Sequence, residues 1–163
     1  MKVYHGGTDI ITLPLVNIGR EELDFGKGFY VTDIQTQAES WASKIADRRG
    51  ATPILNIYEL DIESAKTKFR YKKFDHYDKE WLDFIADNRS GKEVWKSYDL
   101  IEGGIADDRV VDTVESYIAE LMSEEVALQR LAHYAPNNQL CIINQELADE
   151  CLTFIESITQ KIK

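Results

Sequence analysis

Apolar positions along the chain change period several times, and each change predicts an element. KVYHG at 2–6 alternates as a short strand does, and GFYVT at 28–32 gathers β-branched and aromatic residues between turn formers. From Asp33 the spacing becomes helical: Ile34, Ala38, Trp41, Ala42 and Ile45 share a stripe, Thr32 or Asp33 is the expected cap, and Gly50 the stop. PILNIYEL at 53–60 reads as a long buried strand, DKEWLDFIADNR at 78–89 as an amphipathic helix, and YDLIEG at 98–103 as another strand. Val110, Val114, Ile118 and Leu121 mark a further helix, and SEEVALQRLAHY a last one, capped by Ser123 with acids in its first turn. Two strand-length apolar runs follow, QLCIIN at 139–144 and CLTFIESI at 151–158, separated by the polar QELADE. Strands toward both ends with helices grouped between them predict an α+β domain.

The segment KTKFRYKKF at 66–74 interleaves five basic residues with three aromatics. A solvated edge strand guarded by lysines is the favoured reading, ahead of a patch for phosphates and bases. The 163 residues suit one domain spanning 1–163, and 44% hydrophobic content supports one continuous core. Neither a long apolar run nor a secretion signal is evident in the sequence, so a soluble, cytoplasmic protein with no membrane association is expected. A net charge of −10 disfavours extended tracking of nucleic acid. Cys141 and Cys151 both sit in apolar segments, as buried thiols do in a reducing compartment.

Candidate chemistry starts with DFGKGFYVTD. Gly26 and Gly28 either form a turn into the strand or let a flat ligand approach the main chain, and neither the Rossmann nor the Walker spacing is present. His5, followed by Gly6 and Gly7, would stand beside bare backbone able to read an amide or a ribose hydroxyl; a satisfied structural histidine is the alternative. Asp107 and Asp108 suit a divalent cation or, more simply, a helix cap. His76 and His133 have no partner at zinc-ligand spacing, and no metal is expected.

Three pieces, YHGG (4–7), FGKGFYVTDIQTQAESW (25–41) and NNQLCIIN (137–144), together resemble the ADP-ribosyltransferase fold of the diphtheria-toxin and poly(ADP-ribose) polymerase branch. The whole chain is more similar still to DUF3990, a bacterial family of unknown function. The resemblance implies two small packed antiparallel-rich sheets forming an NAD cleft, with helices at the sides. Carried over, His5 would bond a ribose hydroxyl and the Gly6 backbone would grip the nicotinamide carboxamide. Tyr30 and Trp41 would enclose the nicotinamide ring, with core packing as the alternative for Trp41. Arg20 is the candidate for the pyrophosphate. Two positions depart from the pattern: Ala38 replaces a small hydroxylated residue, and Gln139 replaces the catalytic glutamate. Glutamine orients but brings no full charge, and Glu146 is the nearest acid in sequence.

The expectation is therefore an NAD-dependent mono-ADP-ribosyltransferase acting through His5, Tyr30 and Gln139 on a macromolecular acceptor, protein rather than nucleic acid. A toxin or phage-defence role beside a neutralising protein partner is implied by analogy. An inactive NAD- or ADP-ribose-binding module acting through protein contacts is the rival.

Overall fold

Alternation in the strands and the apolar faces of the helices resolve into two sheets with helices against them. The computed structural model describes residues 1–161, so the last two residues of the expected 1–163 domain lie outside the described chain. One sheet is antiparallel, with β1 (Lys2–Gly7), β3 (Ile54–Leu60) and β7 (Leu152–Thr159) in the order β1-β3-β7. The other runs β2-β6-β5-β4, from β2 (Phe29–Val31), β6 (Gln139–Ile142), β5 (Leu100–Gly103) and β4 (Tyr71–Lys73). Only its β4–β5 pair is parallel. Among the described residues a single bridge, Tyr4 to Thr32, joins the sheets, its two main-chain hydrogen bonds measuring 2.8 and 2.9 Å.

The core follows the pleat. Val3, Tyr58 and Leu60 of the first sheet meet Phe29, Val31, Leu140 and Ile142 of the second. On the opposite face of the second sheet, Ile101 and Cys141 pack with Trp81, Leu82 and Ile85 of α3 (Lys79–Arg89) and Val114 of α4 (Val111–Ile118). Residues of adjacent number thus serve different cores, as a period of two requires. Both cysteines are buried and free.

Helix α1 (Gln35–Arg49) lies on β1 through Ala38, Ala42 and Ala46. A Cβ placed on Gly6 would come within 2.0 Å of the Ala38 carbonyl oxygen, so a glycine in the strand and alanines in the helix permit this approach together. The expected stripe is corrected accordingly: Trp41 is 49% exposed and outside the core. Its helix has Ile34 as N-cap without a side-chain bond, while Thr32 Oγ1 accepts from the Ile34 N–H at 3.1 Å.

Three further expectations change. The 66–74 run divides into the end of α2 (Ile62–Lys68) and β4, which is an edge strand carrying Lys72 and Lys73 as anticipated. The polar segment QELADE forms most of α6 (Gln145–Cys151), capped by the Asn144 side chain accepting from Glu146 N–H. Leu121 lies beyond the end of α4, after Glu120 adopts a φ of 61°, and it is solvent-exposed. Asp107 accepts from Arg109 and Asp108 pairs with Lys44 at 2.9 Å, so neither side chain caps α4. The Ser123 cap of α5 (Glu124–Leu131) is present. No described helix is long and apolar enough to cross a membrane.

Candidate functional site

His5 projects from β1 onto the face shared with Phe29, and the two rings stack with centroids 4.5 Å apart. Its Nδ1 lies 2.7 Å from the Tyr30 carbonyl oxygen. A carbonyl only accepts, so the proton resides on Nδ1 and Nε2 of the neutral ring keeps a free lone pair. Burial lowers the imidazole pKa below its ordinary value, partly opposed by the bond to Tyr30, which favours that neutral form. A Cβ at Gly7 would sit 3.6 Å from Nε2, in ordinary van der Waals contact with it.

Gly6 presents main-chain groups. Tyr4 exchanges both of its main-chain bonds with Thr32, and alternation turns the N–H and C=O of Gly6 to the same side of β1. They therefore face the gap that opens between β1 and β2 beyond the bridge. Ala38, where the resemblance implies a small hydroxylated residue, is buried against Gly6 and offers no side-chain donor.

Tyr30 points to the other face of β2. Its hydroxyl donates to the Gly26 carbonyl at 2.6 Å and accepts from the Phe25 N–H at 3.2 Å, closing the glycine turn into a ring. Burial raises the phenol pKa strongly, with the neighbouring Cys141 adding to the effect. The turn glycines are explained by packing. Gly26 has a φ of 82°, and a Cβ there would lie 2.0 Å from the Trp95 ring; one on Gly28 would lie 2.5 Å from Cys141 Sγ.

Gln139 opens β6 opposite Gly103, two residues before the Cys141 that pairs with Tyr30, so Gln139 and Tyr30 share a sheet face. Its side-chain amide has no hydrogen bond among the described residues. The preceding residue carries the fixation instead. Asn138 Nδ2 donates to Asp33 at 2.9 Å and to Glu102 at 3.0 Å, while its carbonyl accepts from Thr32 Oγ1 at 2.6 Å and Gln37 Nε2 at 3.0 Å. Glu102 is buried and also accepts from the Tyr71 hydroxyl. Asn138 and Glu102 escaped the sequence reading because one sits in a breaker and the other in an apolar strand; a charge inside YDLIEG was the available signal.

Other candidates stand apart. Trp41 is open to solvent with the Arg48 guanidinium 5.7 Å from its ring centroid, and makes no direct ring contact with Tyr30 among the described residues. Arg20 is exposed on the loop before the glycine turn, where it lines an open depression of about 500 Å³ with Lys27, Glu21 and Glu22. A second depression, of about 560 Å³, lies between α3 and the α4–α5 connection. Neither depression includes His5, Gly6, Tyr30 or Gln139. Glu146 is exposed in the first turn of α6. No cluster of three or more His, Cys, Asp or Glu side chains suited to a metal ion occurs among the described residues.

The arrangement offers an acceptor nitrogen and a pair of outward main-chain groups on β1 and a free amide on β6, with β2 between them. No curated protein and no solved structure matches the chain. The family model described as a protein of unknown function, DUF3990, matches residues 1–154, and the chain belongs to that family.

Proposed function

We propose that this protein is an NAD-dependent mono-ADP-ribosyltransferase. The observation that carries the reading is the side-by-side placement of three segments distant in sequence: β1 with His5 and Gly6 bridges to β2 with Tyr30, and β2 pairs with β6, which begins at Gln139, although the His5 ring lies on the opposite sheet face from Tyr30 and Gln139. In this reading Nε2 of His5 accepts from a ribose hydroxyl. The Gly6 N–H and C=O take the nicotinamide carboxamide, whose donor and acceptor they complement. Tyr30 forms a rigid wall, Trp41 swings or closes over the ring from α1, and Gln139 orients the ribose. Arg20, exposed in its own depression apart from these groups, takes no part in this reading. Transfer breaks the bond between ribose C1′ and the nicotinamide nitrogen, which keeps the electron pair and leaves as neutral nicotinamide. Positive charge develops on the ribose, an acceptor nucleophile bonds to C1′, and its proton passes to solvent. Without a carboxylate at 139 the charge is less well stabilised, which favours one transfer over chain growth.

Gln139 supports a second reading, an inactive module that binds NAD or ADP-ribose and acts through protein contacts. Labelled NAD incubated with the protein and cell extract separates them. The transferase releases nicotinamide and labels a macromolecule, and His5→Ala lowers both by about tenfold or more. Saturable NAD binding with neither product supports the module. A toxin or phage-defence role with a neutralising partner requires, in addition, growth arrest on expression that His5→Ala relieves.

A further inference from the structure

The loop that joins β1 to β2 is held rigidly yet presents aliphatic side chains to water. Ile10, Leu13, Leu15 and Ile18 are 59%, 85%, 52% and 76% exposed, and no charged residue occurs from Ile10 to Gly19. Exposure here is not slackness. The Asn56 side chain, fully buried, donates to the Asp9 carbonyl at 2.9 Å and accepts from the Ile11 N–H at 3.0 Å. The Tyr58 hydroxyl donates to the Ile11 carbonyl at 2.6 Å. From α6, Gln145 holds both the Pro14 carbonyl and the Val16 N–H at 3.0 Å, and Val16 is buried in the core between the sheets.

The loop also lies beside the candidate site. Asn56 is the cross-strand partner of His5, so its side chain and the imidazole share a face of the sheet. A fixed, uncharged, aliphatic projection next to a candidate active site marks a docking surface rather than packing. Its flanks are mostly acidic: Asp9 precedes the run and is exposed, Asp149 accepts from the same Gln145 amide that holds Pro14, and Glu146 is exposed on the same helix, while Arg49 donates to Thr8 at the start of the loop at 3.1 Å. A second copy would bring the same acids face to face at −10 per chain, and anionic lipid or nucleic acid would meet the same repulsion.

We infer that residues 10–18 dock the acceptor, a protein whose contact surface is aliphatic at the centre and basic at its edge. This rests on the transferase reading above. The test compares wild type with Leu13→Asp, Ile18→Asp and their double variant, and uses Leu121→Asp as a control at an aliphatic residue equally exposed elsewhere. Nicotinamide release from NAD without extract and protein labelling with extract are measured separately, each also between about 50 and 300 mM salt. The expected result is at least a tenfold loss of protein labelling in the double variant, unchanged release, and control labelling like wild type. Labelling, but not release, should also weaken with salt. Unchanged labelling in the double variant overturns the inference, as does label that ribonuclease removes. So does a wild-type dimer in light scattering that Leu13→Asp dissociates, or binding of phosphatidylglycerol vesicles that Leu13→Asp abolishes. Wild type that releases no nicotinamide in either condition ends the transferase reading and this inference with it, a result distinct from intact release with unaltered labelling.

Discussion

Gly26 and Gly28 owe their identity to neighbours inside the protein. A methyl group on Gly26 would meet the Trp95 ring while demanding a left-handed backbone, two costs at one atom. Gly26→Ala is expected to destabilise the fold by about 3 kcal/mol, measured by denaturant unfolding, even with no ligand present. His5 gives a prediction with a sign. Its native pKa is below the ordinary 6.5 because the ring is buried, so the unfolded chain accepts a proton that the folded chain resists. The stability attached to His5 is complete above about pH 6.5 and is lost as pH falls below that value toward the native pKa. Unfolding midpoints of wild type should decline from pH 7 to 5 more steeply than those of His5→Gln.

Among elements, the turn before β2 is tied to distant parts by one buried carboxylate. Asp24 accepts from Arg89 of α3 at 2.6 Å and from the Ala106 N–H at 2.7 Å, and its carbonyl takes the buried Asn88 side chain at 2.8 Å. Asp24→Ala leaves a largely enclosed guanidinium without its nearest partner, and a loss of about 3–5 kcal/mol is expected in thermal or denaturant unfolding. None of this tie was legible in sequence, because Asp24 and Arg89 are 65 residues apart. The long strands and helices were legible, since period two and period 3.6 separate clearly over enough residues. Helices α2 and α6 were not: each has seven residues, under two turns, too few for a stripe to emerge. Trp41 misled for a different reason. A helix lying against a glycine strand buries its smallest side chains, so the large ring on the predicted stripe was displaced toward water.

At the scale of the molecule, the α+β class followed from strand distribution, whereas two small sheets were implied only by the resemblance. What sequence did not supply was orientation. Alternation sends His5 and Tyr30 to opposite faces of their joined strands, and they meet through a main-chain carbonyl rather than ring to ring. Gly6, read as an approach for ligand, serves helix packing with its α carbon and the open gap with its amide. One atom cannot advertise both duties in a sequence.

The lone Tyr4–Thr32 bridge has a mechanical corollary. Among the described residues two hydrogen bonds form the main-chain seam between the sheets, so the halves resemble covers meeting at a single stitch. Amide deuteration should report it: the Tyr4 and Thr32 protons should exchange faster than Tyr58 or Cys141 in the ladder interiors, and the proposed transferase reading further expects them to slow at least severalfold on addition of NAD. Equal protection at all four amides, unaltered by NAD, would mean that the halves move as one slab.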